Sequence, residues 1–214
     1  TYDNTDDDPT AGDRTVTVTF YDGSGSAPDA TNTDEQTTTI TVEPVNDAPD
    51  LDLDLSADGT PGEDNYAVTF IEGGAPVLIA NGVSITDPDL GGADTPTTPG
   101  TLAGATATIT LSAISDGTAE TLSLDASVVE PLVTAGDLVV TEASDTQIVL
   151  TGTSTTELAD FEAAIAAITY DNTDDDPTAG DRTVTVTFYD GSGSAPDATN
   201  TDEQTTTITV EPVN

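Results

Sequence analysis

The sequence predicts an all-β chain: an antiparallel β-sandwich of Greek-key type, in tandem, with one short helix per repeat. Three observations lead there. Threonine accounts for 43 of the 214 residues and alternates with Val and Ile in runs of period two. Asp-Gly, Pro and Asn clusters punctuate those runs as turns punctuate strands. Finally, Thr1 to Asn46 recurs without a change as Thr169 to Asn214, an offset of 168 residues.

Taken in order, Arg14 to Tyr21 and Thr37 to Val42 read as strands, and both recur as Arg182 to Tyr189 and Thr205 to Val210. In Arg182 to Tyr189, Val184, Val186 and Phe188 share one face, and Thr183, Thr185 and Thr187 share the other. Arg182 is expected to pair with a carboxylate such as Asp181 or Asp171. The final strand runs into Glu211-Pro212, where proline ends ladder pairing. Leu51, Leu53 and Leu55 alternate with Asp50, Asp52 and Asp54, a strand with Leu inward. The same acids superficially suit an EF-hand loop, but Leu55 occupies the sixth position, where that loop requires glycine. Further strands are expected at Ala67 to Ile71, Val77 to Ala80, Gly104 to Ala113, Glu120 to Leu124, Leu138 to Thr141 and Gln147 to Leu150. Between Thr156 and Ala167, Leu158, Phe161 and Ile165 fall at spacings of 3 and 4, and Ser154 with Glu157 has capping-box spacing. That is the single helix, and it leads into the strand Ile168 to Tyr170. The total is about nine strands per unit.

The repeat divides the chain into 1-46, the C-terminal part of a preceding repeat, and 47-214, one complete 168-residue repeat. Thr1 falls inside a strand-like segment, as expected for a piece of a longer chain. Residues 1-46 supply only the last strands of a sandwich and are expected to borrow a partner from the next segment or a neighbouring molecule. A tandem array multiplies reach or valency, and with no sugar or peptide pocket in evidence, reach is the favoured reading.

Composition excludes much else. The 41 Asp+Glu against 2 Lys+Arg give a net charge of −39, which repels nucleic acid and anionic membrane surfaces. Cys, His, Met and Trp are absent, which removes Ser-His and Cys-His nucleophiles, disulfides and Cys or His metal ligands. Carboxylate pairs alone run glycoside hydrolysis, but an aromatic sugar platform is missing, so an enzyme is not expected. No apolar run approaches the roughly 20 residues of a membrane span. Like charges about 4 Å apart repel by about 4 kcal/mol at an effective dielectric near 20, so carboxylates that converge need a cation.

The hinge between copies reads Val45-Asn46-Asp47-Ala48-Pro49, and a strand end reads Phe20-Tyr21-Asp22-Gly23. Together these resemble the cadherin-like (Ig-like) extender repeats of giant bacterial RTX-type surface adhesins, over nearly the whole of Asp47 to Asn214. The resemblance implies calcium sites. Glu72, in Ile71-Glu72-Gly73-Gly74, matches the first-loop glutamate; Asp87 and Asp89 match Asp-x-Asp; Asn46 and Asp47 match a shortened linker motif. Glu43, beside the linker, joins the candidates. The sequence departs from the family pattern where Pro44 stands in place of the first linker Asp, and Asp-Arg-Glu is missing. Asp174 and Asp176, with their copies Asp6 and Asp8, suggest either a second calcium loop or a solvated acidic turn.

The resemblance implies a calcium-stabilised spacer in a secreted bacterial adhesin, outside the cell, whose immediate partners are adjacent copies of itself. Two alternatives remain: a calcium-dependent glycan- or protein-binding adhesion module, and a salt-adapted spacer without specific metal.

Overall fold

A computed structural model describes the chain except at positions 7–8, 25–31, 56–64, 91–101, 193–195, 197–199 and 214. It divides into two compact units, Thr1–Val45 and Asn46–Asn214.

In the first unit, β1 (Gly12–Tyr21) and β2 (Thr33–Val42) form an antiparallel hairpin, in register from Gly12 opposite Val42 to Tyr21 opposite Thr33. Both strands begin earlier than their alternating cores, because the ladder continues through Gly12-Asp13 and Thr33-Asp34-Glu35-Gln36.

The second unit is mostly β. Its elements are β3 (Asp50–Asp52), β4 (Tyr66–Ile71), β5 (Val77–Leu78), β6 (Ser84–Thr86), β7 (Thr106–Ser112), β8 (Glu120–Leu124), α1 (Ala126–Ala135), β9 (Leu138–Ala143), β10 (Gln147–Gly152), α2 (Leu158–Ala166), β11 (Ile168–Asn172), β12 (Gly180–Tyr189) and β13 (Thr201–Glu211). One sheet has six strands in the order β4-β13-β12-β7-β10-β9, a second has β5-β11-β8, and β3 pairs with β6. Among the described strands of this unit the pairings are antiparallel except β13 with β4, which run parallel, and an isolated parallel bridge joins Asp54 to Asn81.

Period-two alternation builds the core. Val184, Val186 and Phe188 on β12 are fully buried, as are Ile109 on β7, Leu150 on β10 and Ile208 on β13. Phe70 of the six-stranded sheet meets Tyr170 of the three-stranded one edge to face, with ring centroids 5.5 Å apart. The two sheets therefore share one core. From α2, Phe161 reaches Phe188 at 5.2 Å, and the predicted inward stripe holds, with Phe161 and Ile165 fully buried and Leu158 partly so.

Four expectations need correction. Unit 2 has two helices rather than one: α1 carries Pro131 and the β-branched Val128 and Val129 in its interior, residues that argue against a helix. It forms because Asp125 caps it, accepting from the Ser127 amide at 2.8 Å, and Gly136 closes it at φ 87°. The cap of α2 is Glu157 with Asp160, not Ser154 with Glu157. Leu55 is half exposed, because β3 stops at Asp52 and the chain turns at Asp54, whose amide returns to its neighbour Asp52. The described strands of unit 2 exceed nine, the short β6 (Ser84–Thr86) being one that was not expected.

Candidate functional site

Unit 2 begins at the end of the six-stranded sheet where β12 stops and β13 starts. The Leu51 amide donates to Asp202, the second residue of β13, at 2.8 Å. Just before it, the Asn46 side-chain amide donates to Asp190 at 3.1 Å and to the Asp47 carbonyl at 2.8 Å. The Asp47 amide donates to Asp89 at 2.6 Å, and the Asp89 amide donates back to Asp87 at 2.8 Å. Pro88, between the two acids, fixes φ and stiffens this Asx turn. Asn46, Asp47, Asp87 and Asp89 are thus linked by hydrogen bonds at one end of the unit.

Asp190 joins them, and the linker-motif reasoning missed it. It follows Tyr189 at the end of β12, its Oδ1 accepts from the Ser192 amide at 2.6 Å, and its own amide donates to the Asn200 carbonyl at 3.1 Å. Gly191 beside it has φ 90°, and a Cβ there would meet the Ala105 amide nitrogen at 2.9 Å, so only glycine allows this turn. The Asp-Gly pair was the available signal. Asp87 and Asp190 are 2% and 3% exposed, so these carboxylates are largely withdrawn from water. The sequence holds only two basic side chains, and Arg182 lies at the opposite end of β12.

The remaining candidates lie elsewhere. Glu72 follows β4 at the far end of the sheet, where it accepts from the Val213 amide at 2.6 Å. It misses the Asp87 cluster because β4 runs parallel to β13, which carries it to the end where β13 finishes. Glu43 is exposed after β2 in the first unit. Asp174 and Asp176 lie on an exposed turn in which the Asp176 amide donates to Asp174 at 3.0 Å. Asp6 is exposed, its amide donating to Asn4 at 3.2 Å; Asp8 lies outside the described residues. Among the described residues, no three acidic side chains converge as a ready-made metal cage. What the Asn46 to Asp190 cluster offers is carboxylate and amide oxygen, the donor set of a hard cation such as calcium.

A second polar constellation sits at the other end of β12. Arg182 shares strand parity with Val184, Val186 and Phe188, so its side chain turns inward and is 1% exposed. Its Nε donates to Glu120 at 2.7 Å and its Nη2 to Asp116 at 2.9 Å. These are its partners, rather than Asp181 or Asp171. Asp181 has the opposite parity and accepts from Thr209 across the pair at 2.8 Å, and Asp171 accepts from the neighbouring Asn172 amide at 2.9 Å. Glu120, itself buried, also accepts the Tyr170 hydroxyl at 2.8 Å and the Ser115 and Asp116 amides at 2.7 Å. Burial pushes the Glu120 carboxyl up, yet Arg182, both amides and Tyr170 together outweigh it and hold its pKa below the ordinary Glu value. Asp116 is likewise lowered: desolvation opposes, but Thr178, Asn172 and Arg182 prevail. Tyr170 is pushed well up by burial and by the Glu120 charge. The polar groups named in this node each meet a partner, and together they tie β8, β11 and β12 to one another.

No family model matches the chain, and no curated protein matches it. Among solved structures, a chain from a crystal structure of a dockerin–cohesin complex aligns over 76% of this chain and 100% of its own length, at 15% identity and a TM-score of 0.32. A likeness that low carries no argument about fold or function.

Proposed function

We propose that the 168-residue unit is a calcium-stabilised spacer, a Greek-key β-sandwich of cadherin-like type, repeated in a secreted bacterial adhesin to hold a binding region away from the cell. The observation that carries the reading is the placement of its ends. The chain comes in beside Asp202 at the start of β13 and leaves past Glu211 at its finish. At about 3.3 Å per residue, the 11 residues of β13 separate the two points by roughly 35 Å. Each added copy therefore lengthens the array, which is what reach requires.

In this reading Asp87, Asp89, Asp190 and Asp47, with the Asn46 side-chain carbonyl, close around the cation as it binds and supply the oxygen ligands that calcium takes. A cation bound there stabilises the folded unit by mass action, about 4 kcal/mol at 1,000 times the dissociation constant. For a unit of this size that corresponds to a rise in Tm of roughly 10 °C. Thermal melts in chelator, in millimolar calcium, and in magnesium at matched ionic strength test it. Calcium is expected to raise Tm where magnesium does not, and Asp190→Asn is expected to remove most of the rise. The exposed Asp174 to Asp176 turn, where Asp174 accepts the Asp176 amide, favours a salt-adapted coat as the second reading. Equal stabilisation by magnesium or sodium chloride would select it.

A further inference from the structure

The hairpin β1–β2 presents a patterned face to solvent: Val16, Val18 and Phe20 are 43%, 64% and 67% exposed. Their copies Val184, Val186 and Phe188 are fully buried in unit 2. The hairpins themselves match: β12 pairs with β13 in the same register as β1 with β2. Arg14 donates to the Gly12 and Thr10 carbonyls at 3.2 and 2.8 Å, and Arg182 to those of Gly180 and Thr178 at 3.1 and 2.9 Å. Tyr21 and Tyr189 both close their turns on a serine carbonyl. The first hairpin is therefore already in the shape that residues 47–168 receive in the second.

We propose that the Val16, Val18 and Phe20 face of β1–β2 is a docking surface whose partner is a second copy of residues 47–168. That partner supplies β7 to pair with β1, β4 to run parallel to β2, Phe161 for Phe20, and Glu120 with Asp116 for Arg14, as they do for the identical residues of β12 and β13. Charge complementarity argues for this occupant, since the face carries one inward-parity cation and 47–168 presents two carboxylates to it. The chain's own 47–168 is already filled by 169–214. Its tether also forbids exchange, because Asn46 is bonded to Asp47 at the Asp190 end, whereas the segment after β13 lies at the Glu72 end. The inference rests on the tandem part of the proposed function and is independent of calcium.

The chain contains no cysteine, so Val18→Cys and Val186→Cys each give a single thiol of nearly unchanged shape. In the 214-residue chain, maleimide is expected to label the thiol at position 18 at the rate of a free one, and that at position 186 at least about 100-fold more slowly. Placing a copy of 47–168 directly before Thr1 is expected to slow position 18 to the rate of position 186, in chelator as in calcium. Ile109→Asp in that added copy is expected to restore fast labelling at position 18 alone. Unchanged labelling at position 18 in the extended chain would overturn the proposal. So would concentration-dependent protection in the 214-residue chain alone, which would mean that hairpin faces pack on each other. A calcium-insensitive Tm with protected labelling would defeat the cation reading and leave this one standing.

Discussion

The same 46 residues stand in two settings in this chain, and the contrast separates what a sequence does alone from what its surroundings do. Register, turn closure and the arginine's reach to two backbone carbonyls are alike in both copies. Burial is not: Phe20 is 67% exposed and Phe188 is not exposed at all. Hairpin geometry is local, fixed by strand pairing and turn chemistry. The energy that makes a stable unit comes from the partner face, because a lone two-stranded hairpin is marginal in water.

Paired substitutions sharpen that contrast. Arg182→Met strands Glu120 and Asp116 as buried charges and is expected to cost about 3–5 kcal/mol in urea unfolding of unit 2. Arg14→Met is expected to change it by less than about 0.5 kcal/mol. Phe188→Ala removes a ring packed on Phe161 and is expected to cost a similar 3–5 kcal/mol, about, against nearly nothing for Phe20→Ala. Equal effects within either pair would mean that the two copies share one environment after all.

A smaller effect carries a pH signature. Because the folded-state pKa of Glu120 is lowered, its contribution is fully present above the ordinary Glu value of 4.5 and is lost as pH falls through the lower folded value. Glu120→Gln is therefore expected to lower Tm most at pH 7 and progressively less toward pH 3, a difference measured against the native chain so that overall carboxylate repulsion cancels. Smallest of all, Thr209→Val and Thr41→Val each remove one bond to an exposed aspartate, Asp181 and Asp13, at 2.8 Å. Only the first is expected to register in unit 2, at about 0.5–1 kcal/mol.

The alternating strands and the amphipathic α2 were legible because their periods are written along the chain. Even the inward turn of Arg182 was legible in its parity with Val184, though its partners were not: Glu120 and Asp116 lie 62 and 66 residues earlier, joined to it only by topology. Asp190 met the same obstacle, 144 residues from Asn46. The distance of Glu72 from that cluster follows from the parallel pairing of β4 with β13, which alternation along the chain does not reveal. Helix α1 was hidden by Pro131, although it carries a cap at each end, Asp125 and Gly136.

The course of β13 from one end of the unit to the other has a mechanical consequence. Tension applied to this unit between Leu51, beside the start of β13, and the chain after Glu211 would pull nearly parallel to β13, whose ladders to β12 and β4 lie on either side of it. Hydrogen bonds in those ladders run across the strands, so the load falls on them together, in shear, rather than on one pair at a time. A hairpin pulled open from its free ends would yield bond by bond; a strand held between two neighbours resists sliding as a block.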